Sequence, residues 1–306
     1  MSSEPPPRST PIVVGRLFFA AQSIAGAAWW LAVFTSPWVR EATLGDLPPV
    51  LVGAFDIPLF VAGSAVAAAG VRAAHWVVVP WTFLVTAGLA VYATVTTQAG
   101  WGVVLMTAAS VASLGAALLI RFGRIPAERF LVGPLGFRDA RPAPRSRHVA
   151  TTTVQLVVFW GLFLGLIPLV ILALEHRWRL HLELPAVVSV AGILLFVLAS
   201  ALGLWSAFAM STRGAGTPLP SDATTRLVVD GPYRFVRNPM AVAGIAQGVA
   251  VGLIAQSWLV VLYAIAGSAV WNWLVRPLEE ADLERKFGDA YRAYRGGVRC
   301  WIPRLR

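Results

Sequence analysis

Two stretches near the C-terminal end hold residue types able to do chemistry. The first, residues 231–240, reads "GPYRFVRNPM" and places Tyr233, Arg234, Arg237, Asn238 and Pro239 directly before an apolar run. The second, residues 276–297, reads "RPLEEADLERKFGDAYRAYRGG" and carries Glu279, Glu280, Glu284, Tyr291 and Tyr294. An arginine can fork onto a carboxylate, a glutamate can hold an ammonium or hydroxyls, and a tyrosine can stack on a flat ring or sit beside a cation. Such a set suits the binding of a small ligand of mixed charge. Cys300 is the single cysteine, so neither an internal disulfide nor a cysteine-based metal site can form. His75, His148, His176 and His181 lie in different segments without ligand spacing, and no metal site is expected.

The elements that must position these residues are apolar. Of 306 residues 57% are apolar and 13% charged, with a mean hydropathy of +0.69. A soluble domain carries roughly a quarter charged residues, so the deficit points to lipid as solvent. Runs long enough to cross about 30 Å of hydrocarbon recur at 12–34, 50–71, 76–97, 102–120, 151–174, 186–210, 240–255 and 258–275. The expected fold class is all-α: a polytopic transmembrane helical bundle of about eight spans, with a C-terminal helical hairpin and a cytoplasmic amphipathic tail helix. The net charge of +10 does not argue for nucleic acid, because the arginines cluster between apolar runs, where membrane orientation and anionic headgroups put them. Membrane lipids are the expected partners.

Residues 1–11 read as a disordered lead and 12–122 as a four-helix transmembrane unit of unassigned role. The first run lacks a small-residue cleavage site and reads as an anchor. Residues 123–150 form a basic linker. From Arg121 to His148 seven arginines stand against Glu128 and Asp139, which marks this loop as cytoplasmic. Counting outward from it puts both termini and the 213–237 loop in the cytoplasm, with Arg40 and the 175–183 loop outside. Residues 151–306 then form the domain that carries the chemistry.

The last two runs are joined by Gln256 and Ser257 alone and must form a tight antiparallel hairpin. Gly244, Gly248 and Gly252 recur at four-residue intervals, a stripe that lets a neighbouring helix approach closely. Both hairpin ends emerge on one side, so the 231–240 loop lies beside Arg276 and the acidic tail. On a straight helix Glu280, Leu283, Phe287, Tyr291 and Tyr294 fall within about 60° of one another, with Glu279 about a quarter-turn away. A carboxylate on that apolar face wants a cation, which Arg276 or an arginine of the 234–237 loop could supply.

The ordered set "LVVDGPYRFVRNPM", hairpin, then "EEADLERKFGDAYRAY…WIP" resembles the isoprenylcysteine carboxyl methyltransferase and phospholipid N-methyltransferase superfamily. Its pattern is G-x-Y-x-x-x-R-(His or Asn)-P, a hairpin, E-E-x-x-L and F-G-x-x-Y-x-x-Y. "GAGTPLP", residues 214–220, is similar to the bacterial members, which points to a plasma-membrane enzyme. The resemblance covers about residues 186–306. It implies S-adenosylmethionine as methyl donor, with S-adenosylhomocysteine as product. Tyr233, Arg237, Asn238 and Pro239 would then lie in the cofactor loop, Glu279 and Glu280 at the cofactor's polar end, and Tyr291 and Tyr294 along the pocket. Arg237, Glu280 and Arg276 are the expected catalytic group. Two departures stand out: many members have His where Asn238 stands, and Tyr where Ala241 stands.

Methyl transfer is an in-line displacement that depends on positioning and water exclusion, which fits a sequence without a Ser/His/Asp set or a metal cluster. The acceptor expected at a bilayer surface is a lipidic or isoprenoid-like small molecule. Arg234, Arg237 or Arg276 could orient a carboxylate head, whereas Glu280 or Glu284 could take a proton from an amine. The alternatives are a sterol-reductase-like NADPH-dependent enzyme and a non-enzymatic scaffold or transporter. The N-terminal unit could shield the pocket, widen a lipid entrance or mediate homo-oligomerisation. In it, Asp56, beside Pro58 near the outer end of the second run, is a functional candidate as an acid close to the membrane interior, but its nearness to the interface favours a solvated or helix-capping role. Gln22, like Gln247 in the seventh run, is expected to bridge helices. Trp29, Trp30, Trp38, Trp76, Trp101 and Trp258 are expected in an interfacial belt.

Overall fold

The computed structural model describes residues 9–129, 144–214 and 224–303. Most of the basic linker and of the "GAGTPLP" segment lies outside the described residues. Every regular element among the described residues is helical. In chain order these are α1 (Ser9–Thr35), α2 (Pro37–Leu44), α3 (Pro49–Asp56), α4 (Gly63–Ala68), α5 (His75–Thr96), α6 (Gly100–Phe122), α7 (Arg145–Phe159), α8 (Ile167–Arg177), α9 (Ala186–Arg213), α10 (Pro239–Ile254), α11 (Trp258–Val270) and α12 (Arg276–Gly297). Three joins are π-helical: Ile57–Ala62 links α3 to α4, Trp160–Leu166 links α7 to α8, and Trp271–Val275 links α11 to α12.

Seven of the resulting continuous helices are long and apolar enough to cross a membrane. The expected run at 240–255 is shorter. As α10 it has 16 residues, about 24 Å of rise against about 30 Å of hydrocarbon. Among the described residues the bundle therefore has seven full-length apolar helices and one short one. Their outward faces are apolar, with Leu198 70% and Leu194 62% exposed in α9. In water such surface would be a large liability; in lipid it is the solvated face.

The described helices group into two compact units, one from the helices before Pro126 together with Leu174–Leu180, the other from Ala127–Ala173 and the helices after His181. In the first unit buried polar side chains tie helices together. Gln22 of α1 donates to Ser64 Oγ (3.1 Å) and accepts from Ser113 Oγ of α6 (3.0 Å). Arg16 donates to the carbonyls of Ala68 and Ala69 at the end of α4, at 2.8 and 2.9 Å. Two expectations are corrected here. Asp56 is not solvated: it is 5% exposed, and both its oxygens accept indole N–H groups, from Trp30 and Trp81. Trp30 consequently leaves the interfacial belt for the core, at 3% exposure, whereas Trp38 and Trp76 stay exposed.

In the second unit α10 packs between α9 and α11. Gln256 turns the chain with a left-handed φ of 53°, and Ser257 caps α11 by accepting the Val260 N–H at 3.1 Å. The glycine stripe is split in use. A Cβ on Gly252 would lie 2.6 Å from Val261 Cγ2 and one on Gly248 2.9 Å from Ala264 Cβ, so both are spent on the α10–α11 contact. Gly244 has nothing within 4 Å of its Cβ position. Gln247 donates to Ser200 Oγ of α9 at 3.0 Å, bridging helices as its sequence context suggests.

Candidate functional site

The loop before α10 is built by its prolines and glycine. Gly231 takes a φ of 62° and opens a short 3₁₀ turn, Gly231–Arg234, that buries Pro232 and Tyr233. Pro239 occupies the first helical turn of α10, where its missing N–H costs nothing. Between them Arg237 reaches toward the tail. Its Nη2 donates to Glu280 Oε1 at 2.8 Å, and its Nη1 donates to the carbonyls of Val298 (2.8 Å) and Arg295 (3.2 Å). Its backbone N–H donates to the Arg299 carbonyl at 2.9 Å. Arg276 lies 3.8 Å from the same Glu280 oxygen. The loop and the tail, separated by some forty residues of hairpin, are thus locked together.

Further bonds reinforce this lock. The Tyr294 hydroxyl donates to the Tyr233 carbonyl at 2.6 Å, and Tyr291 is 2% exposed. Asn238 Nδ2 lies 3.5 Å from the buried Cys300 Sγ. The tail is not one straight helix. Gly288 adopts a φ of 51°, a left-handed conformation that glycine reaches without steric cost, and kinks α12 there.

Beside this lock lies a cavity of about 370 Å³, within the range of small-molecule sites. Tyr233, Asn238 and Glu279 are part of its polar wall; Phe159, Phe163 and Ile245 are part of the apolar one. Gly244 and Ala241 border it as well, and their small size leaves the space open. Of the residues expected at the site, Tyr233, Asn238 and Glu279 border the cavity. Arg237, Glu280, Arg276, Tyr291 and Tyr294 stand behind them as the loop–tail lock, and Pro239 starts the helix that forms one side.

Two wall residues carried no sequence signal. Thr152 Oγ1 and Gln155 Oε1, on α7, are buried without a hydrogen-bond partner and border the same cavity. A lone Thr or Gln in an apolar helix has no spacing to announce it. Buried polar atoms are normally paired, so two such orphans facing one space are suited to a ligand's polar groups.

The apolar part of the last long helix ends at Val275, and from Arg276 onward the helix is charged and outside the span. There Glu279 is pushed up to about 7 by burial, then by the charges of Glu280 and Asp282. Burial likewise raises Tyr233 and Tyr294, and raises Tyr291 to about 12. The tyrosines are therefore neutral donors, while Glu279 changes charge around neutral pH.

No curated protein and no solved structure matches the chain. The phospholipid methyltransferase family model matches residues 187–290. That range runs from α9 through the loop, the hairpin and most of α12, and it contains the part of the cavity's polar wall formed by Tyr233, Asn238 and Glu279. Over residues 187–290 the chain is thus similar to the phospholipid methyltransferase family, consistent with the isoprenylcysteine and phospholipid methyltransferase superfamily.

Proposed function

We propose that the domain transfers a methyl group from S-adenosylmethionine to the polar head, carboxylate or amine, of a small lipidic molecule. The observation that carries this reading is a cavity whose polar wall includes Tyr233, Asn238 and Glu279 and whose other walls are apolar and aromatic. Lipidic acceptors fit the aromatic wall, and a charged or hydrogen-bonding head fits the polar one.

The residue set also suits the donor. Glu279 can hold an ammonium or ribose hydroxyls, Asn238 offers both a donor and an acceptor, and Trp271 offers a flat face for a base. When bound, the donor supplies an electrophilic methyl on a sulfonium. The protein's part is positional. Arg237 and Glu280 fix the loop against the tail, and Tyr294 holds the Tyr233 carbonyl. With its pKa near 7, Glu279 is able to take a proton from an amine head. Loop, tail and cavity mouth are read as cytoplasmic.

The test is transfer of a labelled methyl from S-adenosylmethionine into a total lipid extract by the purified protein, with mass identification of the product. Calorimetry should show S-adenosylhomocysteine binding that Asn238→Ala weakens at least tenfold. Binding of NADPH alone would replace this reading with a reductase.

A further inference from the structure

The first unit contains a second cavity, of about 460 Å³, that the methyltransferase reading does not use. Its walls are apolar and aromatic, with Phe18, Trp29, Trp30 and Phe60 among them, and one carboxylate, Asp56, borders it. We propose that this cavity is a binding site for a lipophilic ammonium compound, with Asp56 as counter-ion.

Three observations converge. First, Asp56 is 5% exposed and its partners are two neutral donors, Trp30 Nε1 to Oδ2 and Trp81 Nε1 to Oδ1, each at 2.8 Å. These neutral donors satisfy both oxygens without supplying a countercharge. Two arginines of the unit are bound elsewhere: Arg16 to the carbonyls of Ala68 and Ala69, Arg40 to those of Val33 and Phe34. An acid inside a membrane unit is expensive and calls for a positive partner.

Second, the cavity's aromatic faces favour a cation over a neutral guest. The other polar side chains on the wall, Gln22 and Thr43, are already hydrogen-bonded within the unit, so a single carboxylate offers too few oxygens for a metal ion, and it repels anions. A protonated amine on a hydrocarbon body meets both demands at once. Third, the helix is built around the spot. The π-helical stretch Ile57–Ala62 starts at the residue after Asp56 and carries Phe60 to the wall; such stretches recur at functional positions. Ala25, Leu105 and Ala108 on the rim are exposed, so the guest enters from the lipid side.

The test uses the full-length protein in detergent and two probes of the same shape, 4-phenylbutylamine and 4-phenylbutan-1-ol, titrated calorimetrically near neutral pH. The amine should bind at least tenfold more tightly than the alcohol. Asp56→Asn should remove that preference and leave the alcohol's affinity within about twofold. Ala109→Phe, which fills the cavity from α6 and leaves the carboxylate in place, should abolish binding of both probes. It also keeps the proposal testable if the Asp56 variant fails to fold. Equal affinities in the wild type, no binding of either probe, or an amine preference surviving in Asp56→Asn would each overturn the assignment. None of these outcomes depends on methyl transfer.

Discussion

Replacing Glu279 by glutamine should make the protein more stable, and only at high pH. The carboxyl is raised from 4.5 to about 7 by burial and by its acidic neighbours. The folded state therefore holds this proton more tightly than the unfolded state does. Its contribution is complete below about pH 4.5 and is lost as pH rises through about 7. At 1.36 kcal/mol per pKa unit, the ionised form costs roughly 3 kcal/mol, an upper bound because Glu279 borders a cavity that water can enter. Glutamine keeps the shape and a hydrogen-bonding head but never ionises. Unfolding midpoints of wild type and Glu279→Gln, measured at pH 5, 7 and 9 in one detergent, should diverge with rising pH in favour of the variant. A difference that stays flat across this range, or one that grows in favour of the wild type, would refute the burial argument. Glu284→Gln is the control: its carboxylate pairs with Arg292 and Arg295, and its substitution should give no such gain at high pH.

Two further outcomes follow from the geometry. The Arg237–Glu280 pair is 11% and 17% exposed, so Arg237→Met or Glu280→Gln alone should cost about 3 kcal/mol, and a double-mutant cycle by chemical denaturation should return a coupling of about 1–3 kcal/mol. Gly252→Val should destabilise by about 2 kcal/mol or more, since its Cβ would meet Val261, whereas Gly244→Ala should unfold at the wild-type midpoint.

The elements and the meeting of loop and tail could be read from the chain; which side chain faces the cavity could not. Proline after Asn238, two residues between the last apolar runs, and arginines opposite glutamates were enough to bring Arg237 and Glu280 together. A wheel drawn on a straight helix put Glu280 on the apolar face and turned Glu279 away. In the structure Glu280 is held by Arg237, and Glu279 borders the cavity. The wheel gives only the angles between tail residues; which of them meets the cavity depends on the π-helical stretch before Arg276, which sets the azimuth of the whole tail, and the kink at Gly288 turns Tyr291 and Tyr294 off the wheel. Asp56 shows a similar gap. Its nearness to the span's outer end suggested water, but two tryptophans far apart in sequence donate to it. Thr152 and Gln155 had no neighbours in sequence to mark them at all.

The junction Trp271–Val275 accommodates one residue more than a regular helix of the same rise. That surplus sets the azimuth of everything after it. If the same residues coiled regularly, Glu279 would swing by about 100° and face away from the cavity. Excising a single residue from the junction would instead let the wind relax while the tail kept its phase. The chain thus carries a spare residue at the start of its charged tail helix, and the aim of that helix depends on the surplus staying folded in.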